Sequence, residues 1–309
     1  VIVDLPNTTT NEVSKRLVEA RGESGAVALG RVLTLILVTD EEGSDEAVGT
    51  ANDASREHPS RVLVVVRGTT DGDARLDAQI RVGGDAGASE VIVLRLFGEL
   101  AEHGSALVTP LLLPDAPVVV WWAGEPPADP LSERIGTMAT RRIVDTAKAA
   151  DPCAALEQLS KVAAPGTTDL SWSRLTRWRA LLAAALDQPP YEDVTSAVVR
   201  GAADKPSVEL MAAWLAHALD IPVTVEHTEP GTGMVGVHLT RASGEISIVR
   251  EDGTVATMTQ PGQPTRRVAL HRRTDVECLT EELRRLDPDE LFADVLTKGM
   301  PRIREGASA

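Results

Sequence analysis

Aromatic residues are scarce in this chain of 309 residues: there are two Phe and one Tyr. The cores of its domains must therefore be built from aliphatic side chains and alanine. Against that background the five tryptophans, Trp121, Trp122, Trp172, Trp178 and Trp214, stand out. Cysteine is nearly absent too. Cys153 and Cys278 are the only two, far apart and outside any C-x-x-C or mixed Cys/His spacing. That excludes a zinc-ribbon or thioredoxin-like motif and leaves two buried thiols in a reducing compartment as the expectation. No apolar run approaches the roughly 20 residues that span a bilayer. Val1 to Pro6 show neither a basic stretch nor a signal-like apolar core, so a cytoplasmic protein is expected, with no membrane partner. Positive charge is also in deficit. With 31 Lys+Arg against 46 Asp+Glu the formal net charge is −15. Such a surface repels phosphate backbones, and nucleic acid is excluded as a partner. Self-association is left open.

Length gives a prior of about two domains, each large enough to bury most of its surface without a metal or disulfide. In the first half, Thr9-x-x-Glu12 has capping-box spacing and opens a helix carrying Val13, Leu17 and Ala20. A loop with Gly22, Gly25 and Gly30 leads to the short, nearly continuous apolar run Val32–Val38. Similar runs recur at 61–67, 91–96 and 117–122, while 76–82 alternates. Helices are predicted over 44–56 and 98–109. Continuous runs alternating with helical segments indicate a mixed, mostly parallel sheet with helices packed on it.

Prolines 126, 127, 130, 152 and 165 punctuate the next stretch, which places the boundary at residue 166. The domains are thus 1–166, an α/β domain, and 167–309, an α+β domain. The second opens with a helix over 169–187, then a strand at 194–199 and a helix at 207–219. Turn signals at Gly231-Thr232-Gly233, Ser243-Gly244, Asp252-Gly253 and Pro261-Gly262 predict an antiparallel meander over 221–270. Helices over 275–286 and 288–298 close the chain.

Motifs that would carry catalysis are missing. Gly231-x-Gly233-x-x-Gly236 satisfies G-x-G-x-x-G, but the alternating Val237-His238-Leu239-Thr240 follows it where a dinucleotide site needs a helix. A hairpin connection is the better reading, and no cofactor is expected. Asp71-Gly72-Asp73 with Asp77 lacks the fixed glycine and closing glutamate of a calcium loop and is read as a turn. The six histidines show no ligand spacing, so no metal is expected. No nucleophile, base and orienting group can be assembled, which favours a binding protein over an enzyme without deciding it.

Two segments rise above this background. In Asp169–Arg179, Trp172, Leu175, Trp178 and Leu182 share one helical face, with Arg174, Arg177 and Arg179 beside it. This is either an amphipathic core helix with solvated arginines or an interface in which Trp and Arg act as hot spots. In 266–273, Arg266, Arg267, His271, Arg272 and Arg273 form a local positive patch. They either pair with Glu277, Glu281 and Glu282 or receive a partner's carboxylates or a phosphate. These ten residues, Trp172, Arg174, Arg177, Trp178, Arg179, Arg266, Arg267, His271, Arg272 and Arg273, are the candidate partner- or anion-binding site.

The same segments carry a resemblance. Asp169-Leu170-x-Trp172-x-Arg174-Leu175-Thr176-x-Trp178-Arg179 resembles the signature stretch of the bacterial glucose-6-phosphate dehydrogenase assembly protein family, often called OpcA. Leu113-Pro114-Asp115-x-Pro117-Val118-Val119-Val120-Trp121-Trp122 is similar to its second stretch. His58-Pro59-Ser60-Arg61-Val62 and Leu283-Arg284-Arg285-Leu286-Asp287-Pro288-Asp289-Glu290-Leu291 fit it as well. The resemblance implies a non-catalytic partner of glucose-6-phosphate dehydrogenase that promotes its oligomeric assembly and activates it allosterically. In photosynthetic relatives cysteines make the effect redox-sensitive; the absence of a close cysteine pair here leaves that property uncarried. The rival expectation is an enzyme on sugar phosphates or their lactones, or a small-anion sensor, with the arginines as phosphate clamps.

Overall fold

The structure, a computed structural model, describes residues 1–24, 32–83 and 90–307. Gly25 and Gly30 of the predicted glycine-rich loop lie outside the described residues. The chain is α/β and forms two units. Unit 1 comprises Val1–Lys148, Gly166–Thr168 and Asp275–Pro288; unit 2 comprises Ala149–Pro165, Asp169–Thr274 and Asp289–Ala309.

In chain order the first stretch runs β1 (Ile2–Leu5), α1 (Thr10–Ser24), β2 (Leu33–Asp40), α2 (Ser44–Ala54), β3 (Ser60–Arg67), β4 (Arg75–Val82), β5 (Glu90–Phe97), α3 (Gly104–Val108), β6 (Val118–Trp122) and β7 (Arg141–Val144). Then come α4 (Pro152–Lys161) and β8 (Thr167–Asp169). The eight strands form one sheet in the order β1-β4-β5-β3-β2-β6-β7-β8. β5, β3, β2, β6 and β7 are parallel, whereas β4 is antiparallel to β5 and β1 to β4. The buried runs explain the centre: all but the last residue of β2 and of β3 are inaccessible, as strands covered on both faces must be. β4, one strand in from the edge, alternates buried with half-buried positions as its sequence predicts. Thr9 Oγ1 accepts from Glu12 N at 3.3 Å, the capping contact expected at the start of α1.

One expectation for this half is corrected, and one strand, β7, was not predicted. The helix predicted over 98–109 is broken into a tight turn at Gly98–Glu102, α3, and another turn at Thr109–Leu111. Gly98 sits at φ +60, in the left-handed region, and Pro110 has no amide proton to continue the ladder. β7 was hidden by its two arginines, yet both are buried. Arg141 bonds Glu282 Oε2 at 2.5 Å and the Asp287 carbonyl at 2.7 Å. Arg142 donates to Thr167 Oγ1 and the Ala139 carbonyl, and burial pulls its pKa below the usual value.

The remaining elements are α5 (Leu170–Ser173), α6 (Thr176–Leu186), β9 (Ser196–Ala202), α7 (Pro206–Leu219), β10 (Val223–Thr228), β11 (Met234–Arg241), β12 (Gly244–Val249), β13 (Val255–Thr259), β14 (Arg266–Ala269), α8 (Asp275–Arg284), α9 (Glu290–Asp294) and α10 (Met300–Ala307). Unit 2 holds a sheet ordered β10-β9-β11-β12-β13-β14. β11 to β14 are the antiparallel meander read from the turn signals. β10 is not part of it. The crossover through α7 brings β10 parallel to β9, so the loop with Gly231 and Gly233 spans from the edge past β9 rather than closing a hairpin. As expected, a strand and no helix follows those glycines. The helix predicted over 288–298 is interrupted by a wide turn at Val295–Gly299 before α10. There Gly299 lets the backbone close on Ala213, whose carbonyl oxygen lies where a Cβ would sit. Among the described residues no helix is long and apolar enough to cross a membrane.

Candidate partner-binding site

All ten candidate residues lie in unit 2. The segment predicted as one helix over 169–187 is split into α5 and α6. Asp169 caps the first piece, accepting from Ser171 N at 2.7 Å, as its position predicts. At the break the Ser173 carbonyl accepts from Arg273 Nη1 at 2.6 Å. The apolar face survives the break: Trp172, Leu175, Trp178 and Leu182 are all at most 2% exposed.

The two tryptophans are therefore core residues whose outer surfaces carry arginines. The Arg179 guanidinium lies 3.5 Å from the Trp172 ring centroid. The ring's other contacts are Phe292 at 5.7 Å, centroid to centroid, and Asp289 Oδ2, which accepts from its Nε1 at 2.9 Å. Trp178 is faced by Arg250 at 5.1 Å. Arg250 is 5% exposed and donates to the carbonyls of Leu270 and Met234. Burial first, and neighbouring Arg272 second, pull its pKa down to about 10. Sequence reasoning missed Arg250, since Arg250-Glu251-Asp252-Gly253 reads only as a turn.

The two predicted segments meet at Arg177 and His271. Arg177 Nη1 lies 3.0 Å from Nδ1 and 2.9 Å from Nε2 of the imidazole, a hydrogen bond to whichever nitrogen is unprotonated. Arg273 reaches back to Ser173. Arg272 is exposed and bonds the carbonyls of Gly231 and Thr232, staking the glycine loop down. Arg267 is exposed on β14, within electrostatic range of Asp252. Arg266 turns elsewhere, to the side-chain carbonyls of Gln260 and Gln263 at 2.8 and 2.6 Å. Arg174 is half-buried. The structure thus joins Arg177, His271 and Arg273 with the Arg272 loop and leaves Arg266 apart. What this surface offers chemically is several guanidinium donors on a rigid aromatic base, suited to carboxylates or phosphates.

Unit 2 also has a cleft of about 480 Å³ lined by Asp151, Cys153, Glu157, Glu209 and His227. Burial, followed by the charge of Glu209, pushes the Cys153 thiol up to about 12. It donates to the Ala203 carbonyl and is a poor nucleophile at neutral pH. Among the described residues no three His, Cys, Asp or Glu side chains could together hold a metal ion.

Family models match most of the sequence. Residues 51–161 match the glucose-6-phosphate dehydrogenase subunit N-terminal domain, and residues 165–296 match the C-terminal domain of the same subunit. A "putative OxPP cycle protein OpcA" from Synechocystis sp. PCC 6803 is 29% identical over 181 residues, covering 55% of this chain and 37% of that protein. Its namesake from Synechococcus elongatus is 33% identical over 107 residues, 34% of this chain and 24% of that protein. The match thus spans well under half the length of either relative. An oxidoreductase from Sinorhizobium meliloti overlays on 89% of this chain and 97% of its own at 9% identity, with a TM-score of 0.49. An overlay at that level says nothing about chemistry.

Proposed function

Because the chain belongs to the OpcA family of glucose-6-phosphate dehydrogenase assembly proteins, we propose that it binds that dehydrogenase in the cytoplasm and stabilises its active oligomer. It acts as a non-catalytic allosteric activator. The observation that carries this reading is the match to both halves of the subunit family over residues 51–161 and 165–296.

To activate, the protein must bind the active form of the enzyme more tightly than the inactive one, since equal binding shifts nothing. A ten-fold preference corresponds to about 1.4 kcal/mol. The contact falls on the arginine face of unit 2, with Arg267, His271 and Arg272 outermost and the half-buried Arg177 against His271. Trp172, Trp178, Arg174, Arg179, Arg266 and Arg273 support it from below and beside. In a chain of net charge −15 a cationic face is selective: it attracts an acidic patch while the rest of the surface repels it.

The test is a steady-state assay of the dehydrogenase with and without an equimolar amount of this protein, alongside co-purification. A lower Michaelis constant for glucose 6-phosphate or a higher turnover number is expected. Unchanged parameters across salt and protein concentration overturn the proposal, as does turnover of a sugar phosphate by this chain alone.

A further inference from the structure

The two edges of unit 2's sheet differ. At one end α10 packs against β10, and Glu226 of that strand is held by Arg200 at 3.2 Å. At the other end β14 has no further strand beside it among the described residues, and its Arg266, Arg267 and Ala269 are exposed.

The register fixes which main-chain groups the β14 edge offers. β14 is antiparallel to β13, with Arg267 opposite Thr257 and Ala269 opposite Val255. Leu270 N donates to the Thr254 carbonyl at 2.9 Å. In that frame Leu270, Val268 and Arg266 turn their amides and carbonyls toward β13. Arg267 and Ala269 are one residue out of step and turn theirs off the sheet. Among the described residues no main-chain hydrogen bond reaches these groups. Two N–H and two C=O groups, spaced about 7 Å along the strand, thus form an open pairing site.

This edge is held extended at both ends. Ahead of it the Arg266 guanidinium donates to the side-chain oxygens of Gln260 and Gln263 at 2.8 and 2.6 Å. Behind it Arg272 N donates to the Gly253 carbonyl at 3.1 Å. A strand already ordered loses little further freedom when a partner pairs with it. The side chains then select the partner. Arg267 lies on the outer face of the sheet, beside the exposed Thr257. The residue opposite it on an incoming strand would have its Cβ about 5 Å away, where a carboxylate is favoured and a basic group rejected. A second copy of this chain fits poorly: it also carries a net charge of −15 and would set its own arginines beside these.

We propose that an extended acidic segment of the dehydrogenase adds to this sheet as a further strand alongside β14, with an Asp or Glu opposite Arg267. Main-chain hydrogen bonds to Arg267 and Ala269 hold the segment, and the cross-strand ion pair selects it. The inference rests on the docking of that enzyme at the arginine face and specifies the form the contact takes.

The test compares two substitutions at one position. Arg267→Ala removes the ion pair alone, whereas Arg267→Pro also removes the outward N–H and puts a ring in the path of the incoming strand. Proline is tolerated on an edge strand where that N–H faces solvent, so both variants should unfold at similar urea concentrations. In surface plasmon resonance against the dehydrogenase, Arg267→Ala should bind about 5-fold more weakly than wild type. Arg267→Pro should bind about 10-fold more weakly again. Residue-resolved hydrogen exchange on the wild-type chain gives the same answer even if the proline variant fails to fold. The amides of Arg267 and Ala269 should exchange about 10-fold or more slowly in the complex, while that of Val268 is protected with or without the enzyme. Equal binding by the two folded variants, or unchanged exchange at Arg267 and Ala269 in a formed complex, overturns strand addition and leaves the dehydrogenase reading standing. No binding by the wild-type chain overturns both. Slowed exchange at the same amides in this protein alone, growing with its concentration, assigns the edge to a second copy and also overturns the proposal.

Discussion

Trp172 and Asp289 lie 117 positions apart in sequence, and the indole Nε1 of the first donates to Oδ2 of the second at 2.9 Å. The other carboxylate oxygen of Asp289 accepts from Phe292 N at 2.9 Å and so caps α9. One side chain thus satisfies a buried indole and starts the helix whose Phe292 packs on that indole. Asp289→Ala removes the cap and orphans the N–H, and should cost about 2–3 kcal/mol. Asp289→Asn keeps one acceptor oxygen, enough for the cap or for the indole but not for both, and should cost less than the alanine variant, about 1–2 kcal/mol. Urea unfolding of both variants checks this; equal losses would mean that charge, not hydrogen bonding, holds the contact.

A second prediction concerns unit 1. Arg141 and Glu282 are paired at 2.5 Å with side chains 4% and 6% exposed, and Arg141 also bonds the Asp287 carbonyl. Removing one partner leaves the other charge buried, so Glu282→Ala should destabilise by about 3–5 kcal/mol. Replacing both with apolar residues of similar volume, Arg141→Met/Glu282→Leu, should recover most of that loss. A double variant as unstable as the single one would show that the carbonyl contact of Arg141 dominates.

The same pair illustrates why only part of the molecule is legible in its sequence. Aliphatic runs such as Leu33–Val38 and Val62–Val66 announce buried strands directly, because only a doubly covered strand is apolar without alternation. Arg141-Arg142-Ile143-Val144 gives no such signal; its arginines are buried by partners distant in sequence, Glu282 and Thr167. The periodicity of Trp172, Leu175, Trp178 and Leu182 identified their shared face but left core and interface both open. Three-dimensional packing decides for core, with Arg179 over the Trp172 ring and Arg250 over the Trp178 ring. Arg250 could not have been found, since its acceptors are main-chain carbonyls of Leu270 and Met234.

A third prediction follows from Cys153, whose thiol is pushed up to about 12 from an ordinary 9.0 by burial and then by Glu209. In the folded state the neutral thiol is held further up the pH scale than in the unfolded chain. This contribution is therefore constant below about pH 9, where both states are protonated, and is lost as pH rises from 9.0 toward 12. Cys278 is fully buried. Iodoacetamide at pH 8 should thus alkylate native Cys153 and Cys278 about 100-fold or more slowly than the urea-unfolded chain. Cys153→Ser should flatten the decline in stability above pH 9. Rapid alkylation of native Cys153 would contradict the shielded, acid-flanked environment.

The last prediction separates the arginines that bear load in the fold from those free to meet a partner. Arg179 stacks on Trp172 and Arg273 holds the Ser173 carbonyl at the break between α5 and α6. Alanine at either position should therefore lower stability by about 1–2 kcal/mol, so a loss of dehydrogenase binding there would be ambiguous. Arg267 is exposed and touches none of this scaffold, while Arg272 staples only the Gly231–Thr232 loop. Arg267→Glu should leave the unfolding midpoint within about 0.5 kcal/mol of wild type. If the arginine face is the docking surface, the same variant should weaken binding to the dehydrogenase about 5-fold or more, chiefly through a slower association rate. The defect should shrink as salt is raised, because exposed charges are screened over about 10 Å at 0.1 M ionic strength. Surface plasmon resonance at two salt concentrations reads both effects. Wild-type kinetics for Arg267→Glu and for Arg272→Ala together would place the contact elsewhere on the chain, whatever the variant at Arg179 does.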